Sequence, residues 1–168
     1  MQKAFYLVLY GFLGWALERV INVVYFGFWY DNRVLFTYVQ PMYGLGVVLT
    51  LITYERFKKK LSKTGLVISL TIVFAVIFTA FSEFVSGLGY EYLYGELLWD
   101  YRMAFPRCYH PYVCIIPSSL FGVLSAFTVI YVHPHIEVFT SFVPRYIKAG
   151  LVGIVVIDFI WTYLGVII

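Results

Sequence analysis

The chain has 168 residues, 62% of them hydrophobic and only 12% charged, with a mean hydropathy of +0.85. Soluble domains run at roughly 45–50% apolar and about 25% charged. The composition therefore points to an integral membrane protein and excludes a disordered chain, a basic nucleic-acid-binding module and a disulfide-rich secreted miniprotein. The net charge of +3 is less informative than its distribution, because five of the 12 Lys and Arg residues fall together as Arg56, Lys58, Lys59, Lys60 and Lys63.

A bilayer-crossing helix needs about 20 mostly apolar residues. The chain is expected to be a single all-α transmembrane domain over residues 1–168, a bundle of about five helices, with spans near residues 4–26, 36–57, 66–89, 115–132 and 146–168. The first apolar segment is too long for a cleavable signal, carries Glu18 and Arg19, and lacks a small-residue cleavage site. Gly11, Gly14, Glu18, Asn22 and Tyr25 recur in it at steps of three and four, a single helical stripe of small and polar residues. Pro41 opens the second span, where a missing N–H costs little, and Tyr43-Gly44-Leu45-Gly46 follows with room for close backbone contact.

The basic cluster comes next. Short loops rich in Lys and Arg stay cytoplasmic, which places residues 55–64 and the N-terminus inside and the C-terminus outside. Eight basic residues then fall inside and three, Arg33, Arg102 and Arg107, outside, with Arg19 within the first span. The cluster is also suited to anionic lipid headgroups. A multi-pass protein of the cell membrane is the expected setting.

The third span repeats the polar stripe with Thr79, Glu83, Ser86 or Gly87, and Tyr90; the fourth offers Ser118, Gly122 and Ser125; the fifth offers Gly150, Gly153, Asp158 and Thr162. Small residues let membrane helices approach closely, and helix packing accounts for most of these positions. The acids are different, because a charge at the bilayer centre costs about 3 kcal/mol or more. Glu18 and Arg19 are sequence neighbours on different sides of one helix and do not neutralise each other. The embedded acids therefore take up protons, pair with Arg19 and loop cations, or line a path for a cation or proton. Glu18, Glu83 and Asp158, with Asn22 and Tyr43, are the candidate substrate- or ion-binding residues. Arg19, Glu91, Trp99, Asp100, Tyr101 and Arg107 are the candidate structural polar network, with Trp99 and Tyr101 also suited to the membrane interface.

Cys108 and Cys114 share the loop before the fourth span. Their spacing allows a disulfide in an oxidising compartment without demanding one. With His110 they make only three possible metal ligands and no nearby fourth, so neither a metal nor a cofactor is expected. His133 and His135 flank Pro134 at the other end of the fourth span. No nucleophile or metal set accompanies the acids, and an enzyme is not the favoured reading.

Gly14-Trp15-Ala16-Leu17-Glu18, Pro41-Met42-Tyr43-Gly44, Ser82-Glu83-Phe84 and Trp99-Asp100-Tyr101 occur in this order. In these motifs the chain resembles the ABC-transporter type IV family, also called CmpB-like permeases, and it is similar to small animal transmembrane proteins that share the Trp-Asp-Tyr segment. The family often carries a Gly-Arg-Ile-Cys-like stretch before the fourth span; here Pro111-Tyr112-Val113-Cys114-Ile115 stands there, with Arg107 earlier. The resemblance implies a permease. With no Gly-x-x-x-x-Gly-Lys-Ser/Thr loop in the chain, it also implies an ATPase subunit as partner.

Two alternatives come from other classes. One is a lipid-handling protein, scramblase-like or lipid-modifying, suited by the basic rim and the many rings. The other is a structural or regulatory subunit whose acids fix helix register. A homo-oligomer is expected, because five short helices enclose little volume.

Overall fold

A computed structural model describes residues 1–27, 35–104 and 107–164 of the chain. The expected outer cation Arg33, the last residues of the fifth expected span (165–168) and the side chain of Tyr25 lie outside the described residues. Within them the chain is helical, with α1 (Gln2–Phe26), α2 (Pro41–Lys60), α3 (Thr64–Tyr94), α4 (Tyr101–Ala104), α5 (Ile115–Phe127), a π-helical segment (Thr128–Val132), α6 (His133–Ser141) and α7 (Arg145–Leu164). Among the described residues four stretches are long and apolar enough to cross a membrane: Gln2–Val24, Thr64–Tyr94, Ile115–Ser141 and Arg145–Tyr163.

The expected second span differs most. Its helix begins at Pro41, not near residue 36, and its last six residues hold Glu55, Arg56, Lys58, Lys59 and Lys60. Only residues 41–54 are free of charge. At 1.5 Å per residue they reach about 21 Å, short of the roughly 30 Å hydrocarbon core.

The fourth span is longer than expected and runs through Pro134. Proline removes an i→i−4 bond and its ring clashes with the carbonyl four residues back. The π-helical turn immediately before it widens the backbone, and the N–H of His133 donates to Thr128 O, five residues back. The helix therefore passes the proline without stopping, and His133 is buried within it.

The chain divides into two compact units. The first comprises Met1–Leu45 and Ser141–Ile168, and the second Gly46–Thr140. In the first, α1 packs on α7. The segment between α1 and α2 enters this unit's interior: Leu35, Val39 and Gln40 are buried, and the N–H of Gln40 donates to Gly11 O at 3.2 Å. Gly44 lies so close to the Leu7 carbonyl that a Cβ there would overlap it.

In the second unit α3 packs along α5. The buried face of α3 is Val67, Thr71, Ala75, Thr79, Ser82, Glu83 and Gly87, while Phe81, Ile77 and Val73 are exposed. Small and polar groups inside with large apolar groups outside suit a helix surrounded by lipid, where close packing and hydroxyl bonds replace hydrophobic drive. Gly122 rests on the backbone of Val76, and the Ser125 hydroxyl bonds the Thr50 hydroxyl at 3.1 Å.

Candidate functional site

Glu83 is the most deeply buried acid of the described residues, 2% exposed. It stands nineteen residues into α3, about 29 Å along the axis, and so lies in the part of the helix next to the 95–114 segment. Its two oxygens are held separately. The Tyr101 hydroxyl donates to Oε1 at 2.7 Å, and the Ser118 hydroxyl donates to Oε2 at 2.5 Å. Among the described residues both hydrogen-bond partners are neutral hydroxyls.

Each donor has a local reason to be where it is. Cys114 is extended and precedes the first turn of α5, which puts Ser118 on the face that meets α3. Tyr101 opens the short α4, and its N–H donates to Pro111 O at 2.9 Å. The Trp99 indole donates to Tyr112 O at 3.3 Å, so two bonds tie the 99–101 stretch to the 111–112 stretch. A disulfide joins Cys108 to Cys114 across a Cα–Cα distance of 5.2 Å and closes the loop that carries Tyr112. The Tyr112 ring fills the space left by Gly87 on α3, and its hydroxyl donates to Glu91. Burial, aided by the Glu91 carboxylate, pushes the Tyr112 phenol up to about 12.

Of the residues expected to form a polar network, Glu91, Trp99, Asp100 and Tyr101 make the contacts of this segment, while Arg19 belongs to the first unit. Asp100 pairs with Arg102 at 2.6 Å. The guanidinium hydrogen-bonds its carboxyl and holds it below the usual range. Arg107 is exposed, with a left-handed φ of 68°. Tyr101, expected as a network residue, reaches the candidate binding residue Glu83 directly. Tyr112 was not singled out in the sequence, and no periodic signal marks it. Ser118 stood in the small-residue stripe of its span, and that stripe was the available signal.

The other candidate residues belong to the first unit. The Tyr43 hydroxyl donates to Glu18 at 2.9 Å. Asn22 is half-buried one turn further along α1. The Arg19 guanidinium is buried and lies 5.5 Å from the centre of the Trp15 ring. Asp158 accepts from the backbone N–H groups of Phe36 and Thr37 at 3.3 and 2.7 Å and from the Thr162 hydroxyl at 3.2 Å. It thereby satisfies the turn at residues 35–38, whose amides would otherwise be left bare in an apolar setting. No group of three or more potential metal ligands occurs among the described residues.

The family model described as "Putative ABC-transporter type IV" matches residues 5–165. No curated protein and no solved structure matches the chain. A match over nearly the whole length places the chain in that family, and the apolar helices make it a membrane protein.

Proposed function

We propose that the chain is a membrane permease component in which Glu83 holds a cation, a proton or a small basic solute, with an ATPase subunit as the source of energy. One observation carries this reading: a carboxylate inside an apolar helix is held by two hydroxyl groups and by no cation among the described residues. A hydroxyl rotates and both donates and accepts. Ser118 and Tyr101 can therefore donate to a carboxylate, or turn and accept from a protonated acid or from the N–H of a bound cation. A site with such partners serves its acid in more than one state. Glu18 also accepts from a hydroxyl, that of Tyr43, and Asn22 extends its stripe. Asp158 shapes the segment beside them. The membrane crossing several times, the cell membrane as its location and self-association belong to this proposal, as does attraction of anionic headgroups by Arg56, Lys58, Lys59, Lys60 and Lys63.

The test is Glu83→Gln in proteoliposomes, with proton and organic-cation flux followed by entrapped dyes. The substitution keeps the volume and loses the charge. The expected result is a loss of flux of at least about tenfold, roughly 1.4 kcal/mol of barrier, in a protein that still inserts and melts like the wild type. Unchanged flux would remove Glu83 from the path.

A further inference from the structure

The opposite end of the second unit from Glu83 carries a separate feature. The end of α2, the start of α3 and the π-helical turn enclose an open groove of about 530 Å³. Its lining is of two kinds: Lys58, Ser62 and Thr64 are polar, and Leu61, Val67, Ile68 and Ile130 are apolar, with Tyr131 beside them. The Lys58 ammonium sits 5.9 Å from the centre of the Tyr54 ring, which also lines the groove. No side chain caps the N-terminus of α3, and its first turn holds no acid. Thr64, the first residue of α3, lines the groove, so an anion seated there would lie at a helix N-terminus, which favours negative charge. Arg56, Lys59, Lys60 and Lys63 are its neighbours in sequence, with Glu55 the single acid of the stretch.

We infer that this groove is a binding site for one anionic phospholipid, its phosphodiester between Lys58 and the first turn of α3 and its acyl chain along Ile130 and Tyr131. The charge selects the anion, and the apolar wall at a helix end selects a lipid over a free phosphate. The size is right for a glycerophosphate and the first part of a chain, within the range of small-molecule pockets. The π-helical turn has a part in it: the extra residue needed to pass Pro134 turns Ile130 and Tyr131 towards the groove. The inference narrows the general headgroup attraction proposed above to one seat and is independent of Glu83.

The experiment reads lipid retained by the purified chain. Protein is taken from vesicles of equal parts phosphatidylglycerol and phosphatidylcholine into mild detergent and weighed by native mass spectrometry. The wild type is expected to keep one phosphatidylglycerol per chain. Lys58→Gln and Lys60→Gln remove the same charge, and only Lys58 lines the groove. The first is expected to lower retention by about tenfold and the second by less than about twofold. Ile130→Trp fills the apolar side with every charge intact and is expected to lose the lipid as well. Equal loss in the two lysine variants would reduce the site to a diffuse charged rim and overturn the inference. So would displacement of the lipid by inorganic phosphate, equal retention of phosphatidylcholine, or retention unchanged in Ile130→Trp. Glu83→Gln is run alongside. Its flux can fail while the lipid stays, or the reverse, so the two readings stand or fall separately.

Discussion

Glu83 and Asp158 are both acids buried within long apolar helices, and their partners are of opposite kinds. Asp158 is bound chiefly by backbone N–H groups, which only donate and stay fixed in the chain. Glu83 is bound by two side-chain hydroxyls, which reorient and serve as donor or acceptor. The first arrangement is suited to holding a turn in place. The second is suited to an acid that changes partner. An embedded carboxylate is therefore read best from what holds it, since burial alone does not separate the two roles.

The sharpest way to break the comparison is to delete each carboxyl. Asp158→Ala leaves the part-buried N–H groups of Phe36 and Thr37 without their acceptor, at about 1–3 kcal/mol each. It is expected to lower thermal stability by about 2–5 kcal/mol in detergent, well beyond the loss in Glu83→Ala, whose two hydroxyls turn to other acceptors. Equal destabilisation by the two would erase the distinction.

Packing gives a second handle. A Cβ at Gly122 would lie 2.5 Å from Val76 Cα. Gly122→Val is therefore expected to push α5 off α3, destabilise by about 1–3 kcal/mol, and draw Ser118 away from Glu83. Its signature is loss of flux at temperatures where the protein is still folded. A variant that melts early yet transports normally would show that Ser118 need not touch Glu83.

Removing the donors singly is gentler. Tyr101→Phe and Ser118→Ala each lose one hydrogen bond, at about 1 kcal/mol. Each should shift the pH dependence of flux while the other donor persists. The double variant measures whether the pair acts as a unit, and strict additivity would mean the two hydroxyls serve Glu83 independently.

The smallest effect concerns the segment over this end of α3. A phenol raised to about 12 in the folded protein, against roughly 10 in an unfolded chain, adds stability that is fully present below pH 10. That stability is lost as pH rises through 12. Ultraviolet titration of tyrosinate should show one late phenol in the wild type that is missing in Tyr112→Phe. The Asp100–Arg102 pair works in the other direction. A carboxyl held below its usual range contributes above its unfolded pKa and loses the contribution as pH falls through the folded one. Contact with solvent and salt screening keep that contribution slight.

Class, helix content and the polar positions were legible in the residues themselves. The stripe Thr79, Glu83 and Gly87 is the buried face of α3, because a period near 3.6 needs no partner to be seen. Two local features were misjudged. Residues 36–40 looked apolar enough to extend the second span, but their amides bond Asp158 and Gly11 instead of a helical turn. The fourth span was expected to close near residue 132, and a π-helical turn carries the helix on past Pro134.

By itself the sequence determined that this is a helical membrane protein, where its acids lie, and that it shares ordered motifs with one family. Hydropathy and helical period are sums over neighbouring residues, and no tertiary contact is needed to form them. Only the tertiary structure decided which groups meet those acids: Ser118 with Glu83 across 35 positions, and Phe36 with Asp158 across 122. Such pairings depend on the rotation and depth at which one helix lies against another. In lipid that choice is made by small-residue contacts and single hydrogen bonds; the periodic stripes mark the faces that meet and not which residue meets which.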